Sequence, residues 1–256
     1  MAVAVLAIAT ACAANQSVPR APQKYSGPDL RLVLNIPASR LDVYERGART
    51  RTYDISAGAR QFATPAGKYK ISRITWNPWW HPPASEWARD EKPTPPGPDN
   101  PMGRVKLNFA PLLYIHGTPW VDDLGVPASH GCIRMHDRDL LELTRIIHKY
   151  RTPRVDKRVL DQLEKNVTMT RTFQVRAVPF EVAYNLVEVR DKNLIIHPDV
   201  YRTKNTDLRS EVVSALKREG VAITPDVEDR ISAISKKRNA TRLTVTLDSL
   251  TEPEGE

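Results

Sequence analysis

Apolar and polar residues alternate along the first third of the chain with a period of two. Leu30, Leu32 and Leu34 recur at every second position, and turn signals interrupt the alternation further on. Because side chains along an extended strand point to opposite faces in turn, this spacing predicts half-buried strands. We therefore expect a β-meander over residues 30–56 that continues in a strand over residues 67–76.

The spacing of apolar residues changes to three or four beyond residue 136, which is typical of helices. One helix is predicted to end at Tyr150, with Asp137 as its N-cap, and a second is predicted over residues 155–166. Strand-like alternation returns over residues 175–201. Two further helical segments are expected after residue 205.

These patterns divide the chain into four segments. Residues 1–14 are apolar and contain Ala-x-Ala patterns, which are typical of a signal peptide for export to the periplasm or cell envelope, with lipidation of Cys12 as an alternative. Residues 15–28 are polar and proline-containing, and we interpret them as a linker. Residues 29–203 form the main, strand-rich domain, and residues 204–256 form a basic, mostly helical C-terminal extension.

Composition narrows the class of protein. A hydrophobic content of 41% and a charged content of 27% are ordinary for a folded globular chain, which argues against general disorder and against several membrane spans. The net charge of +8 favours anionic surroundings such as wall polymer or lipid, and so a peripheral association with the envelope. No nucleic acid partner is expected, because zinc-finger spacing, RNA-binding aromatic signatures and long basic blocks are missing from the sequence.

A segment rich in tryptophan and proline interrupts the strand pattern. Residues 75–101 carry four of the five tryptophans, and a long irregular stretch inside a compact domain is usually a lid or a binding loop. Two interpretations stay open. The segment is either a stiff surface excursion that caps the core or one wall of a cleft, in which Trp79, Trp80 or Trp87 packs on a ligand.

Residues 115–135 concentrate the candidate chemistry. Once the export signal is set aside, Cys132 is the sole cysteine, and a thiol attacks carbonyls only as the thiolate, which needs a base or cation nearby. His130 is two positions away, on the same face of an extended backbone, and His116 is separated by a loop long enough to fold back. Gly131 permits unusual dihedral angles, and its amide and that of Cys132 are candidate donors to an oxyanion.

Two alternatives use the same residues differently. Cys132 is either a small buried hydrophobic residue or one ligand of a zinc site. The zinc site would combine His116, His130, Cys132 and His136, although their spacing fits no common metal motif.

The order of residues in this segment resembles a known family signature. The stretches HGT at residues 116–118 and SHGCIRM at residues 129–135 are similar to the L,D-transpeptidase catalytic domain, found in cysteine enzymes that cross-link bacterial peptidoglycan. The resemblance extends over residues 30–201 through four further segments, at residues 32–47, 64–73, 77–85 and 95–109. It implies a mainly β fold with α-helices, in which a β-sandwich-like catalytic domain over residues 29–203 has a helix after the motif and a helical C-terminal extension.

The resemblance also assigns roles to individual residues. It makes Cys132 the nucleophile and His116 its general base, with the Gly117 carbonyl orienting the imidazole. Arg134 is the candidate partner for a carboxylate of the donor peptide, since its planar fork suits that task. The residues expected to line the substrate site are Ser129, His130, Gly131, Arg134, Trp79 and Trp80.

The implied reaction is acyl transfer without a metal or cofactor. Cys132 attacks the bond between the L-centre of diaminopimelate and the terminal D-alanine of a tetrapeptide stem, forms a thioester and passes the acyl group to an amine. The acceptor stays open between a second stem peptide, an outer-membrane lipoprotein and water. A hydrolase with the same site and a non-catalytic peptidoglycan-binding module are the alternatives. The resemblance also implies sensitivity to carbapenems.

Overall fold

The computed structural model describes residues 26–202, 207–236 and 241–252. The signal peptide over residues 1–14, the lipidation alternative at Cys12 and nearly all of the linker over residues 15–28 lie outside this part of the chain. Within it, no helix combines the length and the apolar character needed to cross a bilayer.

The main domain is a closed β-barrel. Its strands are β1 (Leu30–Asn35), β2 (Arg40–Glu45), β3 (Ala48–Ser56), β4 (Gly67–Trp76), β5 (Val105–Ala110), β6 (Leu113–Thr118), β7 (Ile133–His136) and β8 (Arg171–Ala183). They are hydrogen-bonded in the order β1-β2-β3-β7-β6-β5-β4-β8. The expected mainly β fold is confirmed. The two faces expected of a sandwich are joined into a barrel because β8 pairs with β1.

Two neighbouring strand pairs in the barrel are parallel, namely β6 with β7 and β1 with β8. In the first pair, Ile115 lies opposite Ile133 and His116 lies opposite Arg134. Parallel neighbours need a connection that returns along the sheet. The loop over residues 119–132 is this connection, and it brings the start of β7 beside β6.

Two helices follow the barrel's seventh strand, as the apolar spacing predicted: α1 (Asp137–Arg151) and α2 (Lys157–Lys165). The predicted N-cap of α1 is wrong. His136 caps the helix, because its Nδ1 accepts the Arg138 amide at 3.1 Å. Asp137 is instead the first helical residue, so its carboxylate is available for another contact.

The barrel core includes a buried polar pair. The indole nitrogen of Trp76 donates to Nε2 of His148 at 3.1 Å, and Nδ1 of His148 lies 2.6 Å from the Thr152 hydroxyl. An imidazole that accepts a hydrogen bond at Nε2 must be neutral. Burial, assisted by Arg145, lowers the pKa of His148 to about 4, which keeps the ring in that form.

A second, smaller unit follows the barrel. It contains β9 (Val187–Arg190), β10 (Asn193–Ile196), α3 (Leu208–Arg218), α4 (Pro225–Lys236), β11 (Leu243–Thr246) and α5 (Leu247–Thr251). The sheet order is β11-β10-β9, and a separate hydrophobic core begins at Leu186. The two strands before residue 203 therefore pack with the C-terminal extension. That extension is not purely helical, since it supplies β11.

Paired charges join the two units. Arg40 on β2 makes two bonds to Glu188, at 2.9 and 2.7 Å, and Arg190 makes two bonds to Asp42, at 3.0 and 2.9 Å. Burial acts to raise the pKa of Glu188, but hydrogen bonds from His197 and Arg40 outweigh it and bring that pKa to about 2. The barrel and the second unit are thus fixed to each other by ionised, hydrogen-bonded pairs.

Candidate active site

Strand register places three reactive groups on one face of the β6–β7 pair. Ile115 and Ile133 are fully buried in the core, so the next residues along each strand, His116 and Arg134, point to the other face. Cys132 precedes Arg134 by two positions and shares that face by the same alternation. His116 lies opposite Arg134 in the parallel register, so Cys132 lies diagonally across from His116 on the same face.

His116 is held as a neutral base. Its Nδ1 lies 2.6 Å from the Gly117 carbonyl, which only accepts hydrogen bonds, so the proton resides on Nδ1 and Nε2 is left to accept one. Burial lowers the pKa of His116 to about 4, and the nearby cations Arg134 and Lys106 act in the same direction. The imidazole is therefore uncharged at neutral pH.

Cys132 is half-buried at the start of β7. Its Sγ lies 3.6 Å from the Leu112 carbonyl, the acceptor for its S–H. Burial raises the pKa of the Cys132 thiol, whereas the Tyr114 amide, Arg134 and Lys106 favour the thiolate. No hydrogen bond joins Cys132 to His116 among the residues that the structure describes. The site therefore rests as a neutral thiol and a neutral imidazole.

The Gly117 backbone is supported by a carboxylate that sequence reasoning assigned elsewhere. A Cβ on Gly117 would overlap Oδ1 of Asp137 and would lie 3.1 Å from the Arg104 amide nitrogen. That same Oδ1 accepts the Arg104 amide at 2.8 Å. Asp137 thus packs under the residue whose carbonyl orients His116. The sequence signal was an acidic residue directly after a strand, which was interpreted as a helix cap.

Ser129 organises the turn that precedes Cys132. Its hydroxyl accepts the Gly131 amide at 3.1 Å and donates to the Cys132 carbonyl. The Gly131 amide, which was expected to serve an oxyanion, donates to the Ser129 hydroxyl in this structure. Gly131 has a φ of +106°, which favours glycine, and this explains the residue type at that position.

Tyr201, which follows β10 and packs in the barrel core, contacts the loop beside this turn, and sequence reasoning missed this contact. The Tyr201 hydroxyl donates to the Gly58 carbonyl at 2.8 Å and accepts the Thr64 amide at 3.1 Å. The Thr64 hydroxyl in turn donates to the Gly131 carbonyl at 2.9 Å. Tyr201 therefore braces the loop that supports the nucleophile's turn.

Arg134 is already paired with a carboxylate of the chain itself. Its Nη1 lies 3.0 Å from Oδ2 of Asp123, which belongs to the loop between β6 and β7. The guanidinium also lies 5.1 Å from the centroid of the Trp120 ring. A substrate carboxylate at Arg134, as expected from the motif, would have to compete with Asp123.

The tryptophan-rich segment meets the site through Trp87, one of the three rings that the sequence offered for a ligand contact. Trp87 stacks on His130 with 4.1 Å between ring centroids, and Phe62 packs on the same imidazole at 4.5 Å. The indole of Trp79 stacks on His81 instead. Trp80 pairs through its backbone with Thr94. Neither of those two indoles makes a ring contact or hydrogen bond with residues 129–134 in the described part of the chain.

Buried amides keep this segment ordered. The Asn100 side chain donates to the carbonyls of Pro78, Thr94 and Pro95, at 2.9 to 3.1 Å, and accepts the Met102 amide. Asn77 and Arg104 close its base, because the Asn77 amide donates to the Arg104 carbonyl at 2.7 Å. These bonds fold the segment, and Trp87 carries its contact with His130.

The four side chains of the zinc alternative each contact a different partner. Cys132 contacts the Leu112 carbonyl. Gly117 orients His116, the rings of Trp87 and Phe62 enclose His130, and His136 caps α1. Over residues 26–202, 207–236 and 241–252, no three His, Cys, Asp or Glu side chains are grouped as metal ligands.

The barrel thus carries a half-buried cysteine just before β7 and an oriented histidine on the neighbouring parallel strand β6. These two residues form a cysteine–histidine site. The family model for the L,D-transpeptidase catalytic domain, YkuD, matches residues 29–159, just over half of the chain. The chain therefore belongs to the L,D-transpeptidase catalytic domain family, and the resemblance inferred from the motif is confirmed.

Individual relatives cover a similar part of the chain. YkuD of Bacillus licheniformis, named as an L,D-transpeptidase, is 31% identical over 118 residues, covering 46% of this chain and 59% of that protein. YbiS of Escherichia coli K12, also named as an L,D-transpeptidase, is 34% identical over 131 residues, covering 46% of this chain and 43% of that protein. The chain thus spans about half the length of these curated relatives.

Solved structures of L,D-transpeptidases are also similar to this chain. The catalytic domain of the Enterococcus faecium enzyme has a TM-score of 0.39 and 17% identity, and the match covers 60% of this chain and 97% of that domain. An L,D-transpeptidase from Mycobacterium tuberculosis has a TM-score of 0.38 and 16% identity, with 61% of this chain and 58% of that one covered.

Proposed function

We propose that the chain is an L,D-transpeptidase that acts on peptidoglycan stem peptides, with Cys132 as nucleophile and His116 as general base. The observation that carries the proposal is the hydrogen bond between Nδ1 of His116 and the Gly117 carbonyl, which leaves Nε2 free to take the thiol proton on the face that Cys132 shares. Membership of the family supplies the substrate class.

Acylation follows from these protonation states. Nε2 of His116 takes the thiol proton as Sγ bonds to the carbonyl carbon at the L-centre of diaminopimelate. The bond from that carbon to the D-alanine nitrogen then breaks, and the proton passes from His116 to the departing amine. The positive charges of Arg134 and Lys106 stabilise the developing thiolate, and because they disfavour the imidazolium they favour the later passage of the proton to the departing amine. The product is a thioester and free D-alanine.

Transfer completes the cycle. An acceptor amine attacks the thioester carbon, His116 takes a proton from that amine, and the proton returns to the departing sulfur. A thioester reacts well with amines, which favours transfer over hydrolysis. The acceptor is the amine of a second stem peptide, which gives cross-links, or a lysine of an envelope lipoprotein, which gives anchoring. No metal or organic cofactor takes part in these steps. We place the reaction in the periplasm or cell envelope, in line with the apolar first residues.

Muropeptide mass spectrometry tests the proposal. Purified disaccharide tetrapeptides are incubated with wild type, Cys132→Ala, His116→Gln and, as a matched histidine control outside the site, His81→Gln. Wild type and His81→Gln should release D-alanine and form cross-linked dimers, and the other two variants should not. Tripeptides without dimers would identify a hydrolase instead. Identical products from wild type and Cys132→Ala would refute the enzyme and leave a binding module. A carbapenem should add its mass to wild type and not to Cys132→Ala.

A further inference from the structure

The turn that faces the nucleophile carries an unusual residue. β5 and β6 are joined by the two residues Pro111 and Leu112, and Leu112 has a φ of +59°. Proline fixes a φ near −65° at the first turn position, so a positive φ at the second position makes this a type II turn. That second position favours glycine or asparagine, because a Cβ there crowds the backbone.

Comparison with the rest of the described chain sets Leu112 apart. Its other non-glycine residues with positive φ are all polar: Ser39, Arg46, Asn77, Asp191, Lys192 and Arg202. Leu112 is apolar and 71% exposed to solvent. Neither backbone conformation nor burial accounts for a leucine here, since asparagine or glycine would suit both better. Strained residues that the fold does not require are concentrated at functional sites.

The position of Leu112 relative to the sulfur indicates what that function is. The Leu112 carbonyl accepts the S–H of Cys132 at 3.6 Å, so the Leu112 backbone lies directly beside the sulfur while its side chain is exposed. Phe62, Trp87 and Trp120 are also partly exposed, and they pack on His130 and Arg134 beside the same cysteine. Exposed apolar side chains therefore border the site, and Leu112 is the one of these four whose backbone contacts Sγ.

We propose that Leu112 is a specificity-determining residue that packs on the aliphatic side chain of the diamino acid whose carbonyl Cys132 attacks. The inference rests on the proposed function, since it names a contact for the same donor. Burial of substrate methylene groups against an apolar side chain at this point lowers the free energy of binding. This gain offsets the cost of the unfavourable turn conformation.

The test compares two donors and three variants. Leu112→Gly and Leu112→Asn both fit the turn and keep the carbonyl that the sulfur contacts. Val126→Ala removes another exposed apolar side chain, from the loop between β6 and β7, and serves as the control. Release of D-alanine is measured with the natural tetrapeptide and with a tetrapeptide in which alanine replaces the diamino acid. Iodoacetamide alkylation of Cys132 reports the intrinsic reactivity of the thiol.

The expected result is a change confined to one substrate. kcat/KM for the natural donor should fall about tenfold in both Leu112 variants, the size of effect that a lost apolar pocket contact produces. With the alanine-containing donor, kcat/KM of the Leu112 variants should change less than twofold, and so should their rate of Cys132 alkylation. Val126→Ala should change kcat/KM less than twofold. Neither Leu112 variant should lower Tm. Equal losses on both donors, or no loss on the natural one, would overturn the role of Leu112. Wild type that releases no D-alanine would overturn the proposed function and this inference with it.

Discussion

Replacement of Gly117 by alanine tests whether the base is positioned from below by Asp137. The new methyl group would overlap Oδ1 of Asp137 and lie 2.9 Å from its Cγ and 3.1 Å from the Arg104 amide nitrogen. The backbone atoms cannot yield without disturbing β6. The carboxyl group must therefore rotate away, and the Arg104 amide loses its acceptor.

The structure sets the size of the effect. Overpacking of a tight site costs about 1 to 3 kcal/mol, and an amide left without a partner costs about 1 to 3 kcal/mol more. The free energy of unfolding should therefore fall by about 2 to 6 kcal/mol. That loss lowers Tm by roughly 4 to 24 °C in a chain of this size. Turnover should fall about a hundredfold in the folded variant, because the Gly117 carbonyl that orients His116 is displaced.

Calorimetry and D-alanine release measure the two effects. Gly97→Ala is the matched control, since a Cβ at Gly97 has open space around it. The double variant Gly117→Ala with Asp137→Ala removes the obstacle, so its stability should be no worse than that of the single Gly117 variant. A Gly117→Ala protein that melts within 2 °C of wild type, or a double variant whose two losses simply add, would refute the reasoning.

Two further predictions concern ionisable side chains, Asp123 beside the site and His148 in the barrel core. Asp123→Asn should lower KM for the tetrapeptide donor severalfold in steady-state kinetics, because a substrate carboxylate no longer competes for Arg134; a raised KM would mean that Asp123 holds Arg134 in its binding position. The pKa of His148 is about 4 in the folded protein and about 6.5 in the unfolded chain, so the unfolded chain binds more protons between these pH values. The free energy of unfolding should therefore fall by about 3 kcal/mol as the pH is lowered from 6.5 to 4. His116 contributes in the same pH range. His148→Gln should flatten the decline of Tm over that range by about half, and an unchanged slope would contradict the assignment.

Much of the barrel could be predicted because one face of each strand meets the core. Leu30, Leu32 and Leu34 are all buried, and their spacing of two is visible in the sequence. The reactive cysteine and histidine could be found because the motif packs rare residue types into a fixed order. Local periodicity also identified α1, whose buried residues recur every three or four positions.

Contacts between residues distant in sequence were beyond this reasoning. Aspartate commonly caps helices, so Asp137 was assigned that role. No residue near it in sequence reveals that Gly117, twenty positions earlier, leaves room for its carboxylate. The choice of Trp87 over Trp79 depends on how Asn100 folds the proline-rich segment. Strand β11 is short, and its partner β10 lies some fifty residues before it.

The parallel pairing of β1 with β8 determines which end of the barrel these two strands run toward. Both strands run toward the end of the barrel where β7 begins, so the sulfur opens at the end where β8 passes into the second unit. Leu30 starts at the opposite end, beside Arg151 at the close of α1. Cys132 and the entry of the chain into the barrel at Leu30 therefore lie at opposite ends of the barrel.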